Sequence, residues 1–167
     1  MPKIQAYYEL CKPRVVMLIV FTAMIGMLLA PLPNGQTTLL LQIFILGNLG
    51  ISMMALSAAA VNQILDRKAD ASMKRTSKRP LVNGDLTVKE AIVFAALLGF
   101  GGFGILYYWL NPLTAWLTLA SSIGYAWVYT VWLKHATPQN IVIGGASGAA
   151  PPLLGWVAVT GQVSAEP

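Results

Sequence analysis

The feature that most constrains this chain is the length of its charge-free runs. No charged residue occurs from Val15 through Leu65, from Ala91 through Leu133, or from Ala136 through Ala165. Each run is longer than the ~20 apolar residues that one membrane crossing needs. With 56% hydrophobic and 10% charged residues, the chain falls well below the roughly 25% charge of a soluble domain, which excludes a soluble globular protein. In hydrocarbon every backbone polar group must be satisfied within its own segment, so such runs fold as helices. The expected class is all-α, a polytopic helix bundle in a lipid bilayer. Cys11 is the only cysteine, which excludes an intrachain disulfide and a cysteine-cluster metal site.

Turn signals divide the runs into five expected spans, at about 13–30, 38–62, 88–110, 113–133 and 140–160. Pro13 suits a first helical turn, and Pro31 through Gly35 closes span one. Thr87 and Glu90 have capping-box spacing at the start of span three, and Asn111-Pro112 breaks the chain before span four. The amino-terminal stretch resembles a signal peptide in charge, yet no small-residue cleavage site follows it, so it reads as leading into a first span. Five alternating spans place all eleven Lys and Arg residues on one side: Lys3, Lys12, Arg14, the cluster from Arg67 to Lys89, and Lys134. By the positive-inside rule the amino terminus and residues 66–87 face the cytoplasm. The net charge of +5 is thereby an orientation signal, and no nucleic-acid partner is expected.

The chemistry concentrates where span two meets the polar connection. Asn62, Asp66 and Asp70 recur every four residues, so on a helix each is turned about 40° and raised about 6 Å from the last, and they share one stripe. Two acids at a helix carboxyl end oppose the macrodipole and repel one another. One reading is an ordinary interfacial cluster paired with neighbouring Lys and Arg. Against it stands Asn62, a polar group one turn inside an apolar run, which costs free energy unless it is bonded. Carboxylates on one stripe suit Mg²⁺, an ion that binds a few carboxylates together with substrate phosphates. Arg67, Lys74, Arg75 and Arg79 suit a diphosphate. Polyanion head and bilayer tail together point to an allylic diphosphate substrate.

The run Asn62-x-x-x-Asp66-x-x-x-Asp70 resembles the first aspartate-rich motif of the UbiA superfamily of intramembrane prenyltransferases. Within it, KPRVVML at 12–18, DRKADASMKRTSKRPL at 66–81 and LKHATPQNIVIGGASGAAPPLLGWVAVTG at 133–161 are similar to the protohaem IX farnesyltransferase family. The resemblance covers nearly the whole chain. It implies transfer of a farnesyl group from farnesyl diphosphate to a vinyl group of protohaem IX, with addition of water, to give haem O. It implies Asn62, Asp66 and Asp70 as catalytic residues, with Asp66 and Asp70 holding Mg²⁺ and the nearby cations on the diphosphate. Arg14, Tyr129 and Lys134 are further diphosphate candidates, each also readable as an interfacial anchor. Haem B (protohaem IX) is implied as substrate and not as prosthetic group, so His135 is not expected to be a fixed ligand. The resemblance also implies a bacterial inner membrane, and a downstream haem A synthase or terminal oxidase assembly factors as partners.

Members of that family run to about nine spans and carry a second aspartate-rich motif in a later half. Beyond Asp70 this chain holds only Asp85, Glu90 and Glu166 as acids, so it reads as an amino-terminal portion. Three rivals differ in specific residues. A CDP-alcohol phosphotransferase needs glycine after its second aspartate, where this chain has Ala71. A transport or assembly protein would carry its ionisable groups near the bilayer midplane. A sister prenyltransferase acting on a quinone precursor or chlorophyllide is opposed only by the segments 73–80 and 137–140. The expected outcome of a farnesyl-transfer assay on the purified 167-residue chain is no turnover; measurable haem O would overturn the half-site reading.

Overall fold

The computed structural model describes residues 1–31, 37–126 and 140–163. The described residues form helices and turns, with no strand among them. The order is α1 (Lys3–Leu10), α2 (Pro13–Leu29), α3 (Thr37–Ala71), α4 (Pro80–Asn83), α5 (Val88–Ile105) with a π-helical turn at Leu106–Leu110, α6 (Pro112–Ile123) and α7 (Asn140–Thr160). Two helices are long and apolar enough to cross a membrane, at Leu41–Ala71 and Val88–Leu110. A third crossing is available if α1 and α2, bent by 49°, count as one. The expected fourth and fifth spans are described only over residues 112–126 and 140–163.

Local chemistry sets each boundary. Lys12 adopts left-handed backbone (φ 48°, ψ 57°) as the N-cap of α2, with Pro13 next, and this pair turns α1 away from α2. Helix α1 has no strong sequence signal: its eight residues are mixed polar and apolar, and tertiary contacts, among them the docking of buried Ala6 and Leu10, fix them. The capping box expected at Thr87 and Glu90 is formed. Asn111 accepts from the Thr114 amide and hydroxyl at 2.8 Å each and donates to the Val157 carbonyl at 3.2 Å. One side chain thus starts α6 and ties it to α7.

Helix α3 has 35 residues, roughly 50 Å at the helical rise, against ~30 Å of hydrocarbon. The polar residues from Asn62 to Asp70 mark its last turns as the end that leaves the hydrocarbon. At that end the Met1 ammonium lies 2.6 Å from Asp85, and Lys3 Nζ lies 2.6 Å from Glu90. The amino terminus and the connection after α3 thus share one side. The ammonium, then Asn83, holds the Asp85 carboxyl below its ordinary range, so this tie is present at neutral pH and is lost as acidification protonates Asp85.

The core is built on small residues that let helices touch. Ser57 donates to the Ala95 carbonyl at 2.7 Å between α3 and α5. A Cβ on Gly26 would stand 2.0 Å from the Pro152 carbonyl oxygen, and one on Gly155 2.0 Å from that of Ala23. Helices α2 and α7 therefore pack backbone against backbone, beside a buried cluster of Met27, Ile51, Met54, Leu106 and Leu154. Large side chains such as Leu28, Leu97 and Phe100 are instead exposed, as hydrocarbon permits. Gly155→Ala is expected to lower stability in detergent by about 1–3 kcal/mol through overpacking. Gly104→Ala, whose Cβ would meet nothing within 4 Å, should be tolerated; thermal melting of the two variants checks the contrast.

Candidate functional site

The emerging end of α3 gathers the polar residues. Asn62 and Asp70 are 5% and 4% exposed, and Asp66, between them on the stripe, is half-buried. The Lys12 ammonium donates to Asn62 Oδ1 at 2.5 Å across 50 residues of sequence. Its left-handed backbone carries the side chain toward α3 at the α1–α2 bend. One position along, the buried Gln63 amide donates to the Glu9 and Leu10 carbonyls at 3.0 Å each. The end of α1 is thereby clamped against α3.

Asp70 closes the connection that follows. The Arg79 guanidinium donates to Asp70 Oδ2, and the Thr76 hydroxyl donates to the Asp70 carbonyl oxygen at 2.9 Å. Between these contacts successive tight turns are made, including the Thr76 amide to Met73 carbonyl and Arg79 amide to Thr76 carbonyl bonds. The pair answers the electrostatic problem of an acid at a helix carboxyl end by placing a cation beside it.

Beside this polar end lies a cavity of ≈ 300 Å³ between α2, α3, α6 and α7, lined by Lys12, Ile19, Ala58, Ala59, Thr118 and Tyr125 among others. Ala58 and Ala59 sit one turn inside Asn62 on α3. An ammonium and an amide thus meet the mouth of an apolar chamber, an arrangement that matches an anionic head with a hydrocarbon tail.

Of the residues named from sequence, the fold places Asn62, Asp66 and Asp70 together on one stripe and brings Arg79 to Asp70. Arg14, Arg67, Lys74 and Arg75 are exposed and form no ion pair or hydrogen bond among the described residues. Tyr129 and Lys134 lie outside the described residues. Lys12 is a further site residue; in the sequence it stands in the KPRVVML segment directly before Pro13, where orientation by the positive-inside rule is explanation enough. Among the described residues no cluster of three or more His, Cys, Asp or Glu forms. The donors of the stripe are oxygens alone, two of them carboxylates. In kind and number they fit a hard cation such as Mg²⁺, which keeps waters and shares phosphate oxygens. With Arg79 removed, Asp70 stays buried without its cation. Arg79→Ala is therefore expected to destabilise the chain by about 3 kcal/mol, read as a lowered melting temperature that Asp70→Asn in the same chain partly restores.

Comparison with known proteins places this geometry. The model of the UbiA prenyltransferase family matches residues 19–167. The chain is 60% identical over 157 residues to a protoheme IX farnesyltransferase of Saccharophagus degradans, covering 94% of the chain and 50% of that protein. It is 55% identical over 166 residues to protoheme IX farnesyltransferase 1 of Pseudomonas aeruginosa, covering 99% of the chain and 55% of the relative. The chain spans about half the length of the curated relatives it matches. Its fold is similar to that of a UbiA homolog from Archaeoglobus fulgidus bound to DMAPP and Mg²⁺, with a TM-score of 0.76 at 21% identity over 93% of the chain and 55% of the homolog. Charge-free helices, the acid stripe above an apolar cavity, and this match over most of the sequence lead to one conclusion: the chain belongs to the UbiA prenyltransferase family.

Proposed function

We propose that this chain supplies the first aspartate-rich side of a protohaem IX farnesyltransferase, an enzyme that moves a farnesyl group from farnesyl diphosphate onto a vinyl group of haem B. The observation that carries the reading is the 60% identity to a curated protoheme IX farnesyltransferase over 94% of the chain. The stripe supports it independently, because it sets acids and cations at the interface and an apolar cavity behind them. Asp66 and Asp70 would hold Mg²⁺, and Asn62 would orient the same ligand set. That ion, when bound, neutralises diphosphate charge and so stabilises the leaving group.

The chain's own residues do the rest. Lys12, Arg67, Lys74 and Arg75 would bind the diphosphate oxygens, joined by Arg14, Tyr129 and Lys134. Arg79 would reach them only by leaving Asp70, so its first duty is to hold the connection in place. As the allylic C–O bond breaks, the diphosphate leaves with the electron pair, and cations fixed at that position stabilise the developing charge. The farnesyl carbon then bonds to the terminal vinyl carbon. Water gives its hydroxyl to the neighbouring carbon and loses a proton. The apolar walls of the cavity keep other water from the allylic cation.

The site would face the cytoplasm from a bacterial inner membrane, an orientation supported by the positive-inside rule if the five expected spans put all Lys and Arg on one side. A haem A synthase or an oxidase assembly factor would take the product. In cells whose haem O depends on this protein, Asp66→Asn is expected to lower haem O by roughly a hundredfold, measured by mass spectrometry of extracted haem. Undiminished haem O at equal protein level would sink the metal-site assignment.

A further inference from the structure

A second cavity, ≈ 690 Å³, lies between α3, α5 and α6, with Ile64, Leu65, Ile92, Phe100, Phe103 and Trp116 among its walls. Leu65, Ile92, Phe100 and Trp116 are all exposed, so among the described residues the cavity is a groove open along one side. Two serines, Ser57 and Ser122, interrupt its otherwise apolar walls, and the Ser57 hydroxyl is already spent on the Ala95 carbonyl. From Ile92 to Phe103 along α5 the groove runs about 16 Å, close to half of the ~30 Å hydrocarbon core. That is the depth of one leaflet.

The mouth of the groove lies at the basic end of the bundle. Lys68 follows Ile64 by four residues and Leu65 by three, and Lys89 precedes Ile92 by three. These spacings put both side chains on the groove side of their helices, just past the mouth. Both lysines are exposed, and neither has an ion-pair or hydrogen-bond partner among the described residues. The acids nearby are engaged elsewhere: Glu90 with Lys3 and Thr87, Asp85 with the Met1 ammonium, and Asp70 with Arg79. Asp66 belongs to the opposite stripe of α3.

We propose that this groove is a binding site for an anionic phospholipid of the leaflet on the basic side, with one acyl chain between α3, α5 and α6 and the headgroup phosphate between Lys68 and Lys89. The charge at the mouth selects the occupant. A basic pocket between helices at the membrane surface attracts anionic headgroups, whereas an apolar protein segment would leave both ammoniums unmatched. The site is separate from the acid stripe and does not depend on the reaction assigned to it.

Native mass spectrometry of the chain in detergent tests this, with phosphatidylglycerol and phosphatidylcholine of identical acyl chains as titrants. One phosphatidylglycerol is expected to bind at roughly tenfold lower concentration than phosphatidylcholine, a comparison that needs no variant. Lys68→Ser with Lys89→Ser should bring the two lipids level. Ala96→Trp, on the exposed groove wall, should remove both. Equal affinities in the unaltered chain, a preference that survives the double substitution, or undiminished binding to the Ala96→Trp chain would each overturn the proposal. So would a lipid-free dimer, which would give the groove to a second copy.

Discussion

Helix α3 is longer than the hydrocarbon core is thick, and the site follows from that mismatch. Its apolar length satisfies its own backbone within the bilayer. Its last turns stand in the interface, where cations of the connection and of the amino-terminal bend can reach its polar side chains. Several polar contacts of the site are attached to those turns: the Lys12 contact at Asn62, the clamp of Gln63 on α1, and the closure of Arg79 and Thr76 on Asp70. A shorter α3 would draw the acids into hydrocarbon at the large cost of desolvating charge.

Packing beneath the interface serves the same arrangement. No hydrophobic drive brings helices together in lipid, so close backbone approach must supply the contact. Gly26 and Gly155 let α2 and α7 meet at the distance of their carbonyls, and Ser57 stitches α3 to α5. The first contact holds together α2 and α7, two of the helices that wall the smaller cavity, and the second lies at the wall of the larger one. Exposed Leu, Phe and Ile elsewhere are the outer surface that a bilayer solvates.

Much of the plan was legible because membrane insertion imposes simple rules. Charge-free length identified the bundle, Asn111 and Pro112 marked a real helix start, and period-four spacing put Asn62, Asp66 and Asp70 on one stripe. Helix α1 was not legible, since eight residues of mixed polarity have no strong period and are ordered by what they dock on. The role of Lys12 was also hidden. Its left-handed backbone and its reach to Asn62 depend on how α2 is set against α3. The short helix α4 arises from Pro80 and closes at Gly84, whose φ of 81° suits glycine, within a stretch that reads as a plain polar connection.

The partners of the acids divide sequence from structure most clearly. By itself the sequence determined that two carboxylates would stand at a helix carboxyl end among a surplus of cations, because helical period and charge count are local quantities. Which cation meets which polar group of the stripe was decided only by the tertiary structure. Arg79 comes back nine residues to Asp70, and Lys12 crosses 50 residues to Asn62, while Arg67, Lys74 and Arg75, nearer in sequence, stay in solvent. Pairing depends on distance in space and on burial, and those are set by how the helices pack.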